Sequence, residues 1–131
     1  MFPQFEISVD RERKLLKVVL AGFFDLGDVR RFAAAKARAH IELASHPNTH
    51  VTIVDVRDFR IQTQEVANAF AAIIREPRFQ SRRLAFIAAG SLVKVQLRRV
   101  LQGVKTAQQF DTEAAALAWL FSRDEAQPHA A

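Results

Sequence analysis

A chain of 131 residues has the length of about one domain and can bury roughly two thirds of its unfolded surface in one core. Half of it is hydrophobic and a quarter charged, which excludes a disordered or fibrous chain, and having 0 cysteines excludes disulfides, thiolate metal sites and cysteine nucleophiles. Lys and Arg outnumber Asp and Glu by 19 to 14, a formal charge of +5, so acidic partners, anionic lipid headgroups and nucleic acid are electrostatically admissible without being indicated.

The opening MFPQFEISVD is acidic and has no apolar run of signal-peptide length, and no stretch approaches the roughly 18 apolar residues of a membrane helix. A cytoplasmic location is expected. Phe5, Ile7 and Val9 alternate with Glu6, Ser8 and Asp10, the period of a half-buried strand, and LLKVVLAG (15–22) follows as its hairpin partner across the charged link RERK. Asp25 reads as a helix N-cap, with Asp28 three residues on and Phe24 placed to staple against Val29. That helix is predicted to run to about Ser45 with Leu26, Val29, Ala33, Ala37, Ile41 and Ala44 on its apolar face.

HPNT ends the helix, and HVTIVDVR gives a third strand so continuously apolar that both faces of its sheet should be covered. Thr63 is placed to cap a second helix with Val66, Phe70, Ile73 and Ile74 at helical spacing, and Pro77 marks its end. RRLAFIAAG is a fourth strand, SLVKVQLRRVLQ a third helix closed by Gly103, TAQQFD a fifth strand and TEAAALAWLFS a last helix. The order predicts a single α/β domain over 1–122: a mixed sheet of about five strands with an N-terminal antiparallel hairpin, mostly parallel strands thereafter, and about four helices. The tail 123–131 is expected to be disordered.

This order of elements, with VTIVDVRDF, RLAFIAAGSLVKVQLRRVL and above all QQFDTEAAALAWLF, resembles the SpoIIAA-like family of bacterial proteins. That family is related to the STAS domains of sulphate transporters and anti-sigma-factor antagonists, and shares a fold superfamily with the Sec14-like lipid carriers. The likeness covers roughly Phe5 to Phe121, and its strongest piece, ending in Ala118-Trp119-Leu120, is a structural signature.

What the resemblance implies centres on the turn between the third strand and second helix, where anti-sigma-factor antagonists carry an Asp-Ser-Ser-Gly type sequence with a phosphorylatable serine. Asp55 matches the strand aspartate, but the turn here reads Arg60-Ile61-Gln62-Thr63-Gln64 and lacks both the serine pair and the glycine. Thr63 is the nearest hydroxyl. It is either a plain N-cap or a modification site whose phosphate would sit at a helix N-terminus beside Arg57 and Arg60. Gly90-Ser91-Leu92-Val93-Lys94 is a second strand-to-helix turn whose free amides suit an anion, with Lys94 on the first helical turn, or it is an ordinary capped turn. One glycine does not make a nucleotide loop. Both turns should lie at the carboxyl edge of the parallel strands, where open α/β sheets bind ligands.

Catalytic and metal chemistry find less support. His46 and His50 flank Pro47 and Asn48, which disfavours the helix that would aim both rings at one ion, and there is no third ligand, so no metal or cofactor is expected. His40 reads as a packed or surface residue, Asp55 as a buried carboxylate in need of a partner, and Asp58 as unpaired with it. No nucleophile, base and orienting group can be named together, so no enzyme is expected. Lys94 and Arg98 share a helix face that suits anionic lipid or an acidic protein, or simply water. Without tyrosine, and with the phenylalanines on apolar faces, nucleic acid is disfavoured. Trp119 is expected either to cover the sheet or to lie at a subunit contact.

Two functions of different class remain. One is a non-catalytic regulatory or protein-interaction module of the STAS-like type, self-associating, working around Thr63 and the second helix. The other is a carrier or sensor of a small apolar or anionic ligand of the Sec14-like kind, held beneath the second and third helices by Phe59, Ile61, Val66, Phe70, Phe79 and Phe86, a set that otherwise simply fills the core.

Overall fold

The computed structural model describes residues 4–123, so the tail expected to be disordered lies, but for Arg123, outside the described residues. Strand β1 (Gln4–Asp10) pairs antiparallel with β2 (Leu15–Gly22), placing Phe5 opposite Leu20 and Val9 opposite Leu16. Strands β3 (Val51–Phe59), β4 (Arg83–Ile87) and β5 (Ala107–Phe110) then add in parallel, giving a five-stranded sheet in the sequential order β1-β2-β3-β4-β5. The helices are α1 (Leu26–Leu43), α2 (Gln64–Ile74), α3 (Ser91–Val100) and α4 (Glu113–Leu120), with a short 3₁₀ turn at Pro77–Phe79. This is the mixed α/β architecture that the alternation predicts.

The alternation of side chains along β3 divides the core in two. Val54 and Val56 join Leu16, Val18, Leu20 and Phe86 in a cluster roofed by Val29 and Phe32 of α1, Val66 and Phe70 of α2, and Leu97 of α3. Val51 and Ile53 face the other way, with Leu15, Ala85 and Ile87, against Ala116 and Leu120 of α4. Both faces of β3 are therefore dry, which is why its sequence is apolar almost throughout. Each fully buried Val, Leu, Ile or Phe contributes about 1.5–3 kcal/mol relative to exposure. Trp119 packs half-buried on the α4 cluster, 5.4 Å from the Phe110 ring and 5.1 Å from the Arg83 guanidinium, so it covers the sheet.

Helix α1 starts on a complete capping box. The Asp28 amide donates to Asp25 Oδ1 at 2.8 Å, and the Asp25 amide donates to Asp28 Oδ2 at 2.9 Å. Its end is set by Ala44, whose φ of 55° closes the helix and whose amide bonds the His40 and Ile41 carbonyls. The buried face differs from the one predicted. Val29, Phe32, Ala39, His40 and Leu43 point inward, whereas Ile41 is 76% exposed and Ala44 is also exposed. Phe32 supplies the anchor, stacking edge-on against Phe5 at 5.5 Å and tilted against Phe70 at 5.7 Å, and its volume rotates the helix away from the alanine stripe.

Candidate functional site

At the carboxyl edge of the sheet, β3 runs out into residues 60–63 and α2 begins. This turn is held by one side chain that sequence reasoning passed over. Gln62 is buried; its Oε1 accepts from the Phe24 amide at 2.9 Å, and its Nε2 donates to the Gly22 carbonyl at 3.0 Å and the Arg60 carbonyl at 2.6 Å. The end of β2 and the end of β3 are thus tied through a single amide. Gln96 of α3 adds a second tie, accepting from the Gln62 amide and donating to the Gln62 carbonyl, both at 2.9 Å. The turn is pinned on two sides, so whatever it exposes is presented in a fixed position.

Thr63 caps α2, its Oγ1 accepting from the Val66 amide at 3.2 Å, and is itself exposed. Thr63→Ala is expected to cost about 1 kcal/mol of stability, whereas Thr63→Asp, which can also accept, should cost little; denaturant titration of the two variants checks it. Arg60 lies exposed on the same turn. Arg57 does not join it. It alternates with Val56 and so points to the opposite sheet face, where its guanidinium makes a two-pronged pair with Asp55, Nε to Oδ1 at 3.0 Å and Nη2 to Oδ2 at 2.7 Å. The hydrogen bonds from Arg57, chiefly, hold the Asp55 carboxyl below the usual range. The expectation that Arg57 and Arg60 would flank a phosphate at Thr63 is corrected accordingly: strand alternation separates them, and Asp55 occupies Arg57.

The second turn is also rearranged. Gly90, not Ser91, is the N-cap of α3, with φ 81° in the left-handed region that favours glycine, and no side chain caps the helix. Ser91 is the first helical residue and is exposed. Lys94 Nζ pairs with Asp111 Oδ1 at 2.8 Å, which discharges one end of the Lys94–Arg98 stripe. Because the strand order never reverses, no crevice opens between helices on opposite sheet faces. The concavity beside the two turns is instead a groove of about 560 Å³ between α2 and α3, floored by Ala67, Ala71 and Ala72, with Ile61 and Leu92 at one end and Arg75 and Arg99 along it.

Beneath α2 and α3, where the carrier reading would place its ligand, the free space is about 50 Å³, well under the roughly 300 Å³ at which small-molecule sites begin. Phe24, Phe59 and Phe70 meet there edge to face at 5.4–5.6 Å and fill it. His46 is exposed, while His50 is buried 5.1 Å from the ring of His40, a residue on another element. Among the described residues no three His, Asp or Glu side chains are grouped to hold a metal ion, and no helix is long and apolar enough to cross a membrane.

No protein-family model matches the sequence, and no curated protein matches it significantly. Solved structures do. An uncharacterised protein of the DUF3478 family from Shewanella loihica PV-4, described as having a SpoIIAA-like fold, superposes with a TM-score of 0.67 at 18% identity over 92% of this chain and 96% of its own. This chain has the SpoIIAA-like fold. An anti-sigma factor antagonist from Mycobacterium paratuberculosis superposes with a TM-score of 0.61 at 13% identity, over 91% of this chain and 96% of that one. Within the SpoIIAA-like fold, the turn at 60–63 and the groove behind it expose Ile61 and Leu92 on a backbone that Gln62 and Gln96 hold in place.

Proposed function

We propose that this chain is a non-catalytic regulatory module of the STAS-like type, binding a protein through the turn at 60–63 and the groove between α2 and α3. One observation carries it: Phe23, Ile61 and Leu92 are exposed by 47%, 42% and 72% on adjoining segments at one edge of the sheet. Ile61 and Leu92 line the alanine-floored groove itself, and Phe23 precedes the Phe24 amide that Gln62 holds to the same turn, the kind of grouping in which exposed apolar surface marks an interaction site. The groove's shape suits an amphipathic helix, and Arg60, Arg75 and Arg99 around it favour one with acidic flanks. The likeness in fold to an anti-sigma factor antagonist supports a protein as the occupant, a second copy of this chain being the other candidate. With no serine in the turn, Thr63 is the residue left to carry a phosphate, and Arg60 with the free α2 amides would receive it.

The test is Leu92→Asp. Its side chain is in water, so stability should stay within about 0.5 kcal/mol of the parent, while retention of the partner, or self-association, falls at least about tenfold. Native mass spectrometry of both proteins purified from the source cytoplasm reads the outcome. The reading fails if the parent and Leu92→Asp carry the same complexes, or if the parent retains a small molecule at fixed stoichiometry in place of a protein.

A further inference from the structure

At the other edge of the sheet, where β3 and β4 begin, lies a polar cluster that the interaction surface does not use. Lys36 of α1 is half-buried, and its Nζ lies 2.9 Å from His40 Nε2. His40 is fixed by stacking on Phe79, ring centroids 4.4 Å apart and nearly coplanar at 7°. Behind it, His50 Nε2 meets Ser81 Oγ at 3.2 Å, and Ser81 Oγ meets Thr52 Oγ1 at 2.7 Å. His40, His50, Thr52 and Ser81 are buried, while Phe79 and one side of Lys36 are partly exposed.

That side lines a cleft of about 280 Å³ between α1 and α2. Its walls are short, with Ala33 and Ala37 on α1 and Ala72 on α2, and Ile73 and Phe79 make it apolar, while Glu76 and Arg78 stand at the rim. The two rim residues satisfy each other, Arg78 Nε lying 3.1 Å from Glu76 Oε2. Lys36 is therefore left with a neutral imidazole as its hydrogen-bond partner. Lys17 and Lys94 are different, each paired with a carboxylate, Glu113 at 3.2 Å and Asp111 at 2.8 Å. A lysine held among apolar walls and denied an anionic partner gives up its proton readily and becomes a nucleophile.

We propose that Lys36 is the nucleophile of a site for small apolar aldehydes or ketones, which enter the cleft between α1 and α2 and are held there as an imine. The lone pair of the neutral amine adds to the carbonyl carbon, and the carbonyl π pair moves to oxygen, which takes up a proton as the nitrogen gives one up. The carbinolamine then loses water as the C=N bond forms. Amine and carbonyl compound are the whole stoichiometry, and no oxidant or reductant is needed. The His40 imidazole accepts the amine's hydrogen bond and so fixes where Nζ stands. Burial, only partly offset by Glu76, brings the Lys36 amine down to about 8, in keeping with that geometry.

The experiment has two readouts on the intact chain. In the first, trace acetic anhydride competes among the lysines across pH, followed by peptide mass analysis. Lys36 should acetylate about tenfold faster than exposed Lys105 at pH 7.5, with its rate half-maximal near pH 8. In the second, benzaldehyde is trapped on the protein by cyanoborohydride, and Ala72→Leu fills the cleft without touching the amine. The ratio of benzaldehyde trapping to acetylation at Lys36 should fall at least fivefold in Ala72→Leu, and Ala37→Val on the opposite wall serves if Ala72→Leu does not fold. Acetylation of Lys36 no faster than Lys105 overturns the nucleophile. An unchanged trapping ratio in the filled cleft overturns the site.

Discussion

Gln62→Ala is expected to destabilise the protein by about 3 kcal/mol, a loss of roughly 10 °C in the unfolding midpoint. The substitution removes three hydrogen bonds made by one buried side chain, to the Phe24 amide and to the Gly22 and Arg60 carbonyls. Phe24 is fully buried, so its amide is left without a partner where water has little access, and an orphaned buried donor costs more than the bond it made. Gln96→Ala removes two bonds to the same turn from the half-exposed side. Water can replace those, and a cost of about 1 kcal/mol is expected. Urea denaturation of the two variants gives the ordering. A Gln62→Ala protein within about 0.5 kcal/mol of its parent would show that the turn is not pinned by this residue. Because Ile61 rides on this turn, and Gln62 ties it to the segment that carries Phe23, partner binding should weaken in Gln62→Ala even at temperatures where the protein remains folded.

The contrast between Gln62 and its surroundings shows what was legible in the sequence. The order of elements was readable because strands of period two alternate with helices of longer period, and the start of α1 because Asp25 and Asp28 form a local cap whose partners lie three residues apart. The covered faces of β3 were readable because a strand dry on both sides leaves no polar position. Gln62 carries no such signal. Its partners are 38 and 40 residues away, and a glutamine in a polar turn looks the same whether it faces water or the core.

The same holds for α1, where hydrophobicity alone put Ile41 inside and left His40 open between a packed and a surface place. Tertiary contact with Phe70, Phe79 and His50 decides the helix's rotation, and those partners come from later in the chain. At the site, the positions of the two turns followed from topology, while Arg57 was misplaced because its role depends on which sheet face it occupies. One residue of strand phase decides that question, and it separates a phosphate ligand from the structural partner of Asp55.

Acid should weaken this protein well before its carboxylates are protonated. His40 and His50 are neutral in the folded chain: burial, and next the nearby Lys36 ammonium, push His40 down to about 3 and His50 to about 4. In the unfolded chain both titrate near 6.5. Above that value neither state binds a proton and the pair has no effect on stability. As pH falls through 6.5 the unfolded chain takes up protons that the folded chain refuses, and stability drops until the folded values are reached. At pH 5 each histidine accounts for about 2 kcal/mol, so about 4 kcal/mol is lost relative to pH 7.5. The paired carboxylates work in a lower window, since Asp55 and Asp111 have lowered values and their stabilisation is lost only as pH falls below the ordinary carboxylate range. Urea titrations at pH 7.5, 6 and 5 therefore isolate the histidines. His50→Gln, which keeps a polar partner for Ser81 but cannot titrate, should remove about half of the slope. Stability that is flat to within about 1 kcal/mol over that range would mean that the cluster opens to admit a proton, and that His40 and His50 are not held neutral by the fold.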